Sequence, residues 1–182
     1  MAAKDVPEVV AYWCGASPAE LARMAVDPRK LPAEETLRAQ LDSLLATPEA
    51  KARSFYSVWL VDGRPVGYSS LKNIVRDDHA DMHLHIWDPT VRGKGFGATL
   101  FCLSALDFFE RFQLRRIVCE PSVGNPMANA MLRRVGFRLL GSRVGASSEL
   151  SAVTDLNAYA IERDVAQAYL QRAVAPTKAA GE

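Results

Sequence analysis

Asp81-Met82-His83-Leu84-His85-Ile86-Trp87-Asp88-Pro89-Thr90-Val91-Arg92-Gly93-Lys94-Gly95-Phe96-Gly97-Ala98 passes from strict alternation, through a proline, into a glycine-rich turn. Apolar Met82, Leu84 and Ile86 alternate with Asp81, His83, His85 and Trp87, which predicts a strand over 81–87 with one face packed and the other carrying chemistry. The turn leads into a helix expected from about Gly95 to Phe112, with Phe101, Ala105, Phe108 and Phe112 spaced for burial. Glycines at a strand-to-helix turn let the backbone approach a pyrophosphate, and the helix N-terminus adds free N–H donors and partial positive charge. Arg92 and Lys94 add cationic character, although a tight turn needing positive φ would also explain the glycines. The G-x-G-x-G spacing is not the Rossmann pattern, and no Ser or Thr follows the Gly-Lys pair as a Walker loop requires.

Upstream, residues 7–47 read as helical, with a capping box at Ser17-Pro18-Ala19-Glu20 and one apolar face through Leu37, Leu41, Leu44 and Leu45. Phe55–Val61 and Val66–Leu71 read as strands joined by an Asp62-Gly63 turn. Downstream, Arg116–Glu120 reads as a short strand. Asn125 and Pro126 open a helix that Gly136 ends. Strands at Phe137–Leu140 and Asn157–Ile161, then a helix at Val165–Val174 and a loose tail, complete an α/β (α+β) domain.

The chain has 182 residues, about half of them apolar, which suits one domain spanning 1–182: N-terminal helices at 7–47, a sheet core at 55–161, and a C-terminal helix and tail at 162–182. A net charge of +1 with mixed signs argues against nucleic acid as partner. No run of about 18 apolar residues occurs, so a membrane partner is not expected either. Three widely spaced cysteines fit neither a disulfide framework nor a zinc knuckle and favour a reducing cytoplasm.

Arg92-x-x-Gly95-x-Gly97, preceded by Trp87-Asp88-Pro89, resembles the pyrophosphate-cradling signature of the GNAT acyltransferase superfamily. A second block, Asn125, Ala128 and Gly136-Phe137, is similar to the family's following motif, whose asparagine and helix line the pantetheine. The motif style is nearest to branches acting on ribosomal-protein N-termini, aminoglycosides and siderophore amines. The resemblance covers roughly Phe55 to Ile161 and implies a mixed, mostly antiparallel sheet flanked by helices, with strands 81–87 and 116–120 splayed to admit acetyl-CoA. It also implies that the backbone of Ile86 and Trp87 pairs with the pantetheine arm, that Arg92, Gly93, Lys94, Gly95, Phe96, Gly97, Ala98 and Asn125 hold the cofactor, and that acetyl passes directly to an amine without an acyl-enzyme. A homodimer is compatible with it. Many members carry a tyrosine seven residues after the asparagine, as acid toward the departing thiolate; here that place is Leu132, and solvent or Ser122 would have to supply the proton.

His83 and His85 share one strand face, and a neutral imidazole suits removal of a proton from an ammonium substrate. Glu120, at a strand end beside the gap, could hold or deprotonate the amine, or simply bond to nearby backbone. A metal site is not expected, since His79 is the only other imidazole. Trp59, Tyr68 and Trp87 are assigned to packing, Asp81 to the strand start, Asn129 to the surface, and Cys102 and Cys119 to the core.

Overall fold

The computed structural model describes residues 1–174, with the side chain of residue 174 excepted. The N-terminal segment breaks into α1 (Val6–Cys14), α2 (Pro18–Arg23) and α3 (Glu34–Ala46). The break before α2 is the expected capping box: Ser17 Oγ accepts from the Glu20 N–H, and Glu20 accepts from the Ser17 N–H. Then follow β1 (Phe55–Val61), β2 (Arg64–Val75), β3 (His79–Ile86), α4 (Phe96–Phe112), β4 (Arg116–Cys119), α5 (Pro126–Val135), β5 (Arg138–Gly145), β6 (Thr154–Ile161) and α6 (Arg163–Val174). The tail expected after α6 lies outside the described residues.

One six-stranded sheet forms in the order β1-β2-β3-β4-β6-β5. Only β3 and β4 are parallel, and every other neighbouring pair is antiparallel. β5 is longer than the expected 137–140, because its ladder to β6 carries it through Gly141 and Ser142, residues without strand propensity of their own.

The sheet is covered on both faces. On one, the aromatic stripe of α4 (Phe101, Phe108 and Phe112) packs with Met82, Ile117 and Leu132 into the main core. On the other, α1 and α3 lay Val9, Trp13, Leu37 and Leu41 against Tyr68. The polar face of β3 is therefore roofed by the N-terminal helices instead of being open to solvent, and Trp87 packs beneath them.

β3 pairs with β4 only from His79 to Asp81, opposite Arg116–Val118, and β4 ends at Cys119. From Met82 onward the two strands part, as expected. The glycine of β2 opposite this opening is required for close approach: a Cβ at Gly67 would stand 2.3 Å from the His85 carbonyl oxygen and 3.0 Å from the Ile86 Cα.

Candidate active site

The opening between β3 and β4 continues into a cleft of about 520 Å³ that reaches from the glycine loop to the N-terminus of α5. Gly95 caps α4 in a left-handed conformation (φ +86°), and no side chain caps this helix. Its first-turn N–H groups remain free for an anion, with Gly95, Gly97 and Ala98 lining the cleft. Arg23, Arg92 and Arg134 line it too. Its one carboxylate among the described residues, Glu120, is held bidentately by Arg143, with Nε on Oε1 at 2.8 Å and Nη2 on Oε2. A cationic cleft with an uncapped helix end fits a polyphosphate such as that of coenzyme A.

The Trp87 and Asp88 N–H groups both donate to the Val66 carbonyl, at 3.1 and 3.2 Å. In this structure the Trp87 N–H is thus directed at β2, and its indole donates to the Pro65 carbonyl at 3.0 Å. In an antiparallel ladder the backbone groups alternate sides, so with Trp87 facing β2 the N–H groups of Leu84 and Ile86 face the opening. Ile86 thus stays a candidate partner for the pantetheine through its N–H, while its carbonyl is taken by Arg92, whose Nε and Nη2 donate to it at 3.1 and 2.6 Å. Arg92 consequently braces the strand end as well as charging the loop. Gly93, Lys94 and Phe96 sit exposed on that loop.

Asn125 caps α5, its Oδ1 accepting from the Ala128 N–H at 3.2 Å, and it lines the cleft. Asn129, expected at the surface, is buried. Its amide donates to the carbonyls of Ser122 and Asn125 and accepts from Asn157 Nδ2 and Tyr159 O–H, so it fixes the turn that carries Ser122 and Asn125. Leu132, at the tyrosine position of the resemblance, is buried in the main core and lines the cleft with hydrocarbon alone.

His83 and His85 stand between the cleft and a second cavity under α1 and α3, and line both. Their surroundings differ. The His85 ring stacks on Tyr68 at 4.9 Å and meets Trp13 edge-on at 4.9 Å, while its Nδ1 lies 3.2 Å from the Tyr12 hydroxyl. Burial pushes its pKa down to about 3, so it stays neutral but is a feeble base. His83 is also shifted below its ordinary value, first by burial, against which the Asp81 carboxylate acts. Its Nε2 is buried with no hydrogen-bond partner, a state shared among the described residues only by the Ser69 hydroxyl. Asp81 accepts from Asn73 Nδ2 at 2.7 Å. Cys102 and Cys119 are buried, and burial raises both thiols, that of Cys102 to about 12. Among the described residues no group of three His, Cys, Asp or Glu could hold a metal ion, and no helix is long and apolar enough to cross a membrane.

Tyr12, Arg23 and Arg134 are cleft residues that the sequence reading missed. Arg134 follows Ala128 and Met131 at helical spacing on the cleft side of α5, a usable signal. Tyr12 and Arg23 come from helices that only tertiary packing brings here.

The sequence pattern described as Acetyltransferase (GNAT) domain matches residues 1–138. No curated protein matches the chain. Among solved structures, the ribosomal L7/L12 alpha-N-protein acetyltransferase RimL in complex with coenzyme A superposes with a TM-score of 0.73 at 19% identity, over 91% of this chain and 92% of that one. RimJ of Mycobacterium smegmatis in complex with CoA-disulfide gives 0.72 at 19% identity, over 95% and 86%. A chimera of the spermidine N-acetyltransferase SpeG from Vibrio cholerae and hSSAT gives 0.70 at 21% identity, over 92% and 95%. At such identities the likeness is one of fold. With the family pattern running through the roofed β3, the uncapped glycine loop and α5, the chain belongs to the GNAT family of acyl-CoA-dependent N-acetyltransferases.

Proposed function

We propose that this enzyme moves the acetyl group of acetyl-CoA to the primary amine of a small molecule by direct attack, with His83 as the proton acceptor. The observation that carries this reading is His83 itself, whose side chain stands where the cleft and the second cavity meet and whose buried Nε2 has no hydrogen-bond partner. A buried imidazole nitrogen without a partner costs stability, and a lone pair facing an incoming ammonium is a function that would retain it. With its proton on Nδ1, His83 presents that lone pair. His85, clamped by Tyr12, Trp13 and Tyr68, holds the wall rigid. Glu120 is a weaker candidate for the base, since both its oxygens accept from Arg143.

In this reading the Gly93–Ala98 turn and the first turn of α4 bind the pyrophosphate, the Ile86 N–H orients the thioester arm, and Asn125 with α5 walls the pantetheine side. Coenzyme A supplies the activated acyl group, and solvent or Ser122 returns a proton to the thiolate. The whole chain acts as one acyltransferase domain in the cytoplasm, and a homodimer is compatible with it.

Incubating the protein with acetyl-CoA and a mixed library of primary amines, with products read by mass spectrometry, tests this directly. N-acetylated amine and free coenzyme A should appear in equal amounts, with no acetyl group left on the protein. Binding of acetyl-CoA without any acetylated amine would mean a silent coenzyme-binding module instead.

A further inference from the structure

We infer that the acceptor is a compact monoamine with an apolar or aromatic body, seated in the cavity between α1, α3 and β2–β3; this rests on the amine acetylation proposed above. The cavity measures about 430 Å³, the scale of a small-molecule site. It meets the coenzyme cleft at Met24, His83, His85 and Ser147, which line both. An amine seated on this side lies against the His83 ring, across that shared wall from the coenzyme cleft.

Its wall chemistry selects against a second positive charge. Val9, Trp13, Leu37, Leu41 and Leu44 supply hydrocarbon and an indole. Tyr56 stacks on Tyr68 at 5.3 Å with an interplanar angle of 19°, and the Trp13 indole donates to the Tyr68 hydroxyl at 2.9 Å, so the aromatic wall is preorganised. Among the described residues, and apart from the two histidines, the charged ones lining it are Lys30, Lys72 and Glu149. The single carboxylate is already paired, with Lys72 Nζ 2.7 Å from Glu149 Oε1, and Lys72 also lies 5.7 Å from the Tyr56 ring centroid. A polyamine would bring its further ammonium groups to a wall with no free carboxylate and two lysines.

Compactness follows from the strap at residues 147–152. It is tied to the connection between α2 and α3 by the Val26–Ser151 bridge, with the Asp27 N–H on the Leu150 carbonyl at 2.9 Å and the Ala152 N–H on the Ala25 carbonyl at 2.8 Å. Lys30 Nζ donates to the Ser151 carbonyl at 2.7 Å as well. An extended peptide would have to displace this strap, and a short amine would not.

Release of coenzyme A at saturating acetyl-CoA, with 2-phenylethylamine, 3-methylbutylamine, spermidine and an unblocked hexapeptide as acceptors, tests the inference. The two monoamines should exceed spermidine and the peptide in kcat/KM by about tenfold or more, the scale of one unpaired buried polar group. Gln40→Glu, at an exposed position on the cavity wall, should raise kcat/KM for spermidine several-fold relative to that for 2-phenylethylamine. A preference of the wild type for spermidine or the peptide overturns the inference while acetyl transfer stands. Acetyl-CoA that stabilises the protein while no amine is acetylated removes both.

Discussion

Gly95→Glu should abolish the rise in melting temperature that acetyl-CoA gives the wild-type protein. A ligand that binds only the folded state, present at a hundred times its Kd, adds about 2.7 kcal/mol, which is about 5 to 10 °C for a chain of this size. Gly95 stands at the N-cap of α4, at φ +86°, where an added Cβ meets nothing within 4 Å and therefore projects into open space. A glutamate there sets a carboxylate against the helix N-terminus, where it competes with the pyrophosphate for the same free N–H groups. The positive φ itself costs about 1 to 2 kcal/mol for any residue with a Cβ, which lowers the baseline melting temperature. Gly95→Ala carries that strain without the charge, so it should start from a similar baseline and keep a substantial part of the shift. A full acetyl-CoA shift in Gly95→Glu would contradict the assignment of this loop to the pyrophosphate.

His83→Ala should lower turnover about a hundredfold or more while most of the acetyl-CoA shift is kept, because loss of a general base removes that much rate and the pyrophosphate is assigned to the glycine loop, to which His83 does not belong. The pH dependence follows from the direction of the pKa. Burial holds His83 below its ordinary value, so the neutral base persists throughout the neutral range and is lost only as pH falls through that lowered value. In His83→Ala no base remains to titrate. Turnover should then climb with rising pH as solution deprotonates the amine, narrowing the gap to wild type. His85→Phe, which keeps a ring against Tyr68, should lose far less. Near-normal turnover of His83→Ala at neutral pH would make the histidine structural and bring Glu120, freed from Arg143, to the front.

The backbone course of the two blocks assigned to the cofactor was legible because its signals are local. The alternation through Met82, Leu84 and Ile86, the Gly95 turn, and the Asn125-Pro126 start and Gly136 stop of α5 each state a backbone requirement within a few residues. What escaped is long-range. Nothing near His85 in sequence announces that α1 brings Tyr12 and Trp13 onto it and roofs the face read as carrying chemistry. The pairing of Glu120 with Arg143 spans 23 positions, and the burial of Asn129 depends on Asn157 and Tyr159 of β6. The end of β3 hides a finer detail: two successive donors, Trp87 and Asp88, crowd onto the one Val66 carbonyl, an irregularity that alternation alone does not reveal.

A crystal structure of the protein with coenzyme A and an acceptor amine bound together decides between these roles. The pyrophosphate should lie on the N–H groups of the Gly93–Ala98 turn, the thiol between β3 and β4, and the amine nitrogen in hydrogen-bond reach, about 3 Å, of His83 Nε2. Coenzyme A bound elsewhere, or an amine held at Glu120 with His83 Nε2 still unpartnered, would contradict these assignments.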